Sequence, residues 1–226
     1  MVTVHPPLCR SSEEDFAVSA PRRALVVIDV QQEYFQGPLT IQYPHRDESL
    51  ARIVRVMDSA VDAGLPVITI QHEFPEGAPV FAPGTEGWQL HPEIERRAKA
   101  ASKHVVKGFS SVFTVGDLTD WLRANEIDTL TLVGYMTNNC VLATAAAAEP
   151  LGFTVEVLSD ATGAVHLANE VGKVSAQQVH ETLMVLLHSN WAAVSDTETW
   201  TAAVSGQKSL EKSDLGTSAV QGEAAH

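Results

Sequence analysis

Cysteine is scarce in this chain, and its scarcity sets the first bound. Only Cys9 and Cys140 are present, so no disulfide framework is expected. That usage fits a reducing compartment in which Cys140 stays a free thiol. Positive charge is also short: 15 Lys and Arg stand against 28 Asp and Glu, a net charge of −13. Such a balance argues against nucleic acid and anionic membrane as partners. No apolar run is long enough to span a bilayer. Near the start, Pro6, Pro7, Arg10, Glu13, Glu14 and Asp15 interrupt any signal-like apolar core. The expectation is therefore a soluble, cytoplasmic protein. No internal repeat is evident. No G-x-G-x-x-G follows the first apolar run, which speaks against a dinucleotide site.

What is present is enough apolar material for a sizeable core: 45% of 226 residues are hydrophobic. That length fits one domain with tails. Residues 1–21 are mixed and polar and read as a loosely held arm. Residues 22–203 read as the domain. Residues 204–226 turn polar and Gly/Ser-rich and read as a disordered tail.

Within the domain, short apolar runs alternate with helical patterns. Ala24 to Ile28 is continuous and rich in β-branched residues, so it reads as a strand buried on both faces, the mark of a parallel sheet. Further strands are predicted at Pro66–Ile70, His104–Val106, Asp128–Val133, Phe153–Leu158 and Ala192–Val194. Helices are predicted at Glu48–Ala63, Glu93–Ala101, Asp117–Asn125, Val141–Ala148 and Ser175–Asn190. This alternation predicts an α/β fold with helices on both faces of a mostly parallel sheet. Between the second strand and the next helix, Gln71 to His91 is a long segment rich in Pro, Gly and aromatics, a length usually tied to function.

Three reactive residues occupy equivalent places. Asp29 follows the first strand, Lys107 the third, and Cys140 the fourth. Ligands of open parallel sheets bind outside the carboxyl ends of the strands, so one rule gathers an acid, a cation and a thiol on one edge. Cys140 also opens a helix, where unpaired N–H groups and the positive dipole end favour the thiolate. Each residue has a plainer reading: a turn-capping Asp, a solvated Lys, a small buried Cys. Together their chemistry closes. Cys140 would attack a carbonyl carbon. Asp29 would take the thiol proton and pass it to a leaving nitrogen. Lys107 would hold Asp29 ionised. N–H groups around Met136 and Cys140 would hold the oxyanion.

Val27-Ile28-Asp29-Val30-Gln31, Val106-Lys107 and Gly134-Tyr135-Met136-Thr137-Asn138-Asn139-Cys140 resemble the signature blocks of the isochorismatase-like cysteine hydrolases. The resemblance runs from about Arg23 to Thr201. It implies a three-layer α/β/α domain with a six-stranded, mostly parallel sheet in the order 3-2-1-4-5-6. It also implies an Asp29-Lys107-Cys140 triad, a cis peptide at Tyr135–Met136 beside the oxyanion, and a homodimer or homotetramer. Nicotinamidases of that family resemble one another in an Asp-x-His metal motif after the second strand. Here the region reads Gln71-His72-Glu73, so no bound zinc or iron, and no other cofactor, is expected. His72 and His91 with Glu73 form the alternative metal set.

The pocket wall is expected from Tyr34, Phe35, His72, Phe74, Phe81, Trp88, Phe109, Phe113, Tyr135 and Asn139. His166 and His180 are read as structural or interface residues. Retention of Cys140 favours hydrolysis of a C–N bond in a small amide or ureide through a thioester. The alternatives are vinyl-ether hydrolysis of the isochorismatase type and a non-catalytic binding or interaction protein on the same fold.

Overall fold

A computed structural model describes residues 20–226. The expected N-terminal arm, Cys9 included, lies outside the described residues except at Ala20 and Pro21. The first strand, β1 (Arg23–Ile28), is buried along its whole length. Its side chains alternate between two cores. Ala24, Val26 and Ile28 join one core, and Leu25 and Val27 join the other.

β2 (Val67–His72), β3 (Lys103–Lys107), β4 (Thr129–Tyr135) and β5 (Thr154–Gly163) follow in the chain. An exposed hairpin, β6 (Leu167–Asn169) and β7 (Gly172–Val174), stands apart from the main sheet. β8 (Ala193–Ser195) completes that sheet. The sheet has six strands in the order β3-β2-β1-β4-β5-β8, and each neighbouring pair is parallel. This is the expected topology, with the hairpin inserted before the last strand.

The helices are α1 (Glu33–Gln36), α2 (Arg46–Asp62), α3 (Pro92–Ala98), α4 (Leu118–Ala124), α5 (Leu142–Ala148), α6 (Ala176–Asn190), α7 (Thr197–Ser205) and α8 (Leu215–Ala225). Leu118 and Leu122 of α4, Ala145 of α5 and Leu187 of α6 cover one sheet face. Ile53 and Met57 of α2, Ile94 of α3 and Trp200 of α7 cover the other. No helix among the described residues is long and apolar enough to cross a membrane.

β1 and β4 approach closely at Gly134. Its φ is +104°, and a Cβ there would lie 2.1 Å from the carbonyl oxygen of Ile28. Only glycine combines that dihedral with that approach. The contact sits one residue before Asp29, so it sets the exit of β1 toward the site.

The C-terminal region departs from its expectation of disorder. α7 reaches Ser205, and its Trp200 is wholly buried. The indole Nε1 donates to Thr131 Oγ1 at 3.0 Å and to Glu156 Oε2 at 3.1 Å. Glu156 also pairs with buried Arg23 at 2.7 Å. α8 begins because Asp214 accepts from the Thr217 N–H at 2.8 Å, an N-cap. It buries none of its residues. Without an apolar stripe, its composition resembles that of a loop.

Candidate active site

Four side chains meet at the carboxyl edge of the sheet. Asp29 is the first residue beyond β1, and its φ of +49° turns the chain out of the ladder. Its N–H still donates to Ile70 O at 3.1 Å. His72 and Lys107 end β2 and β3 and face one another in register. Cys140 lies in a wide π-type turn, Thr137–Val141, that feeds α5. The Tyr135–Met136 peptide that enters this turn is cis.

Lys107 is the hub. Its Nζ donates to Asp29 Oδ2 at 2.7 Å and to Cys140 Sγ at 3.4 Å, and it lies 3.1 Å from His72 Nδ1. An ammonium has three hydrogens, and here each has an acceptor. Asp29 and Lys107 have no exposed side-chain surface. Asp29 Oδ1 has no formed hydrogen bond among the described residues. The Cys140 thiol is nevertheless near enough to act on that carboxyl.

The electrostatics correct one expectation. Burial and the neighbouring Asp29 charge push the Cys140 thiol up to about 12, against the helix-start argument for a resting thiolate. The thiol therefore rests protonated. Burial also raises the Asp29 carboxyl, with the Lys107 ammonium opposing it. His72 moves the other way, lowered to about 4 by burial and by Lys107. It is a neutral ring at ordinary pH.

Acceptor atoms of Asp29, His72 and Cys140 lie within 4.8 Å of one another, a spacing a metal ion could use. The donor set does not fit one, because the Lys107 ammonium already bonds all three. Nor does the alternative set form. His91 Nδ1 accepts from the Glu93 N–H at 3.2 Å to cap α3, and its ring packs on Phe35. Gln71 Nε2, in the same segment, donates to Trp88 O at 2.9 Å.

A cavity of about 270 Å³ opens above Cys140, lined by Tyr34, His72, Phe74, Phe81, Phe109, Met136 and Asn139 among others. Four expected wall residues lie elsewhere. Phe113 stacks on Phe153 at 5.7 Å in the core covered by α4 and α5, carried there by the turn Val112–Thr114. Phe35 packs against His91 and the edge of Tyr135. Tyr135 is core, its hydroxyl 2.7 Å from Ser49 Oγ. Trp88 contributes its carbonyl to Gln31 and Gln71 rather than a wall. Leu39, Val80, Gly108 and Ser110 line the cavity without having been expected. Gly108 and Ser110 directly follow Lys107, so the strand-end rule reaches them. Leu39 and Val80 carry no such signal.

His180 and His166 take supporting places. His180 Nδ1 lies 3.0 Å from Thr137 Oγ1, behind the Cys140 turn. His166 Nδ1 accepts from the Ala176 N–H at 2.8 Å, at the start of α6.

Comparison with known proteins matches residues 23–199 to the isochorismatase domain family. The crystal structure of an isochorismatase-like protein from Burkholderia xenovorans LB400 is 45% identical, with a TM-score of 0.89 over 92% of this chain and 99% of that one. An uncharacterized isochorismatase family protein of Bacillus subtilis is 30% identical over 77% of this chain and 96% of its own length. The nicotinamidase of Escherichia coli is 30% identical over 65% of this chain and 85% of its own.

Proposed function

Since this chain belongs to the isochorismatase family of hydrolases, we propose that it is a cysteine hydrolase that cleaves a C–N bond in a small amide or ureide. The observation that carries this reading is the Lys107 ammonium held between the Asp29 carboxylate and the Cys140 sulfur, 2.7 and 3.4 Å away, beside a small cavity. The nicotinamidase among its relatives supports an amide as the scissile group.

In this mechanism the thiol rests protonated and is ionised only as it attacks. Asp29 Oδ1, free of other partners among the described residues, takes the proton. Sulfur attacks the carbonyl carbon, and the Met136 and Cys140 N–H groups hold the oxyanion. Lys107 steadies the sulfur charge as it appears. Asp29 then gives the proton to the leaving nitrogen, which departs as ammonia or an amine. Water, deprotonated by Asp29, hydrolyses the thioester and restores the thiol. No metal enters these steps, in keeping with a donor set saturated by Lys107.

Ammonia release from a panel of primary amides and ureides tests the reading. Cys140→Ala should abolish release while the circular dichroism spectrum is unchanged. Pyruvate release from a vinyl ether, with no amide turned over, would instead assign the isochorismatase-type reaction.

A further inference from the structure

Building on the amide-hydrolase reading, we infer that the substrate is a compact carboxamide or ureide without an acidic group, and that His72 meets it with a single hydrogen-bond donor, Nε2–H. The donor follows from Lys107. A ring nitrogen that accepts an ammonium hydrogen cannot carry a proton of its own. His72 Nδ1 accepts from Lys107 Nζ at 3.1 Å, so the ring proton resides on Nε2. Among the described residues Nε2 has no acceptor, and His72 borders the cavity. The ring is steered by edge contacts with Phe74 and Phe81, centroids 4.5 and 5.2 Å away.

The lack of an acidic group follows from the wall. Among the described residues, no Arg, Lys, Asp or Glu lines the cavity. Lys107, the cation beside it, has committed its three hydrogens to Asp29, His72 and Cys140. Ser110 Oγ is engaged with Asn139 Oδ1 at 2.7 Å. A carboxylate drawn into this space would lose water and gain no counter-ion. A neutral ligand fits, with its apolar portion on the aromatic wall and an acceptor on Nε2–H. The cavity, about 270 Å³, is just below the usual range for ligand sites, which favours a compact molecule.

The test pairs each primary amide or ureide with its carboxylate-bearing counterpart, such as benzamide with 3-carbamoylbenzoate. Ammonia release is measured for the native enzyme, and calorimetric binding for Cys140→Ser. Neutral members should exceed their anionic partners at least about 100-fold in kcat/KM and in affinity, in line with an unpaired buried charge. Phe109→Lys, which places a cation at the exposed rim, should raise the anionic members at least about tenfold. His72→Gln keeps an acceptor for Lys107 and a donor for substrate. It should stay within about tenfold of native kcat/KM, whereas His72→Phe should lose about 100-fold or more.

Equal use of anionic and neutral members, or equal rates for the Gln and Phe variants, overturns the inference and leaves the amidase reading standing. Binding of neutral members to Cys140→Ser, with no ammonia released by the native enzyme, overturns the amidase reading and leaves the pocket assignment standing. A failure of every neutral member to bind overturns the inference.

Discussion

Lys107 Nζ lies 2.7 Å from Asp29 Oδ2, and neither side chain exposes any surface. Removing one partner of such a pair strands the other charge in a low-dielectric interior, which costs about 3–5 kcal/mol. Lys107→Met should therefore lower stability by about that amount in chemical denaturation. Adding Asp29→Asn to Lys107→Met should restore part of the loss, because no charge then remains unpaired. Additive losses in the double-mutant cycle would show that the two groups are not coupled.

The protonated thiol gives a prediction on the alkaline side. Iodoacetamide should label Cys140 slowly near neutral pH, with a rate that rises about tenfold per pH unit toward 12. A rate already at its plateau at pH 7 would mean a resting thiolate. The sign for stability follows from linkage. The folded thiol is raised from 9.0 to about 12, so the folded state holds this proton more tightly. That stabilisation is complete below pH 9 and is lost as pH rises toward 12. Cys140→Ala should lack this component when its thermal stability is compared with the native protein across the same window.

His72 sets the acid side with the opposite sign. Its folded value is lowered from 6.5 to about 4, so the unfolded chain binds the proton more readily. The resulting stabilisation is present above pH 6.5 and is lost as pH falls toward 4. His72→Gln should flatten the decline of stability over that interval. An unchanged slope would remove His72 as its source.

Gly134→Ala should be among the most damaging small substitutions in the sheet. The added methyl would meet backbone, 2.1 Å from Ile28 O and 2.8 Å from Ile28 N, at a φ unfavourable to alanine. The expected cost is above about 3 kcal/mol. Even where the variant folds at low temperature, the displaced end of β1 carries Asp29, so kcat should fall as well. Thermal melts and ammonia release check the two effects separately.

A chain ended after Leu210 should retain native activity and lose no more than about 1 kcal/mol. α8 buries none of its residues, and surface segments without buried contacts contribute little. Leu210 and Lys208 are kept because Leu210 packs on the core and Lys208 O accepts from Arg23 Nη2 at 2.6 Å. A large fall in melting temperature would show that α8 stabilises the body beyond its visible contacts.

The strands that carry Asp29, Lys107 and Cys140 were legible because each is an apolar run stopped by a polar or breaking residue. The partnership of His72 with Lys107 was not, since it depends on the β2–β3 register, and β2, buried along its whole length, carries no alternation that would fix one. Phe113 shows a related limit. It lies four residues beyond Phe109, yet a single tight turn sends it into the core while Phe109 stays exposed at the cavity. The protonation of Cys140 was hidden for another reason. Helix position can be read from sequence, whereas desolvation depends on what closes over the sulfur.

The Asp29–Lys107 contact also bears on how substrate arrives. An adjacent carboxylate and ammonium cancel at a distance, and among the described residues the cavity wall adds no formal charge of its own. A neutral molecule diffusing toward that mouth feels almost no long-range pull, even though the chain as a whole carries −13. Turnover should therefore hold nearly constant from dilute buffer to molar salt, because screening has nothing to weaken along the approach.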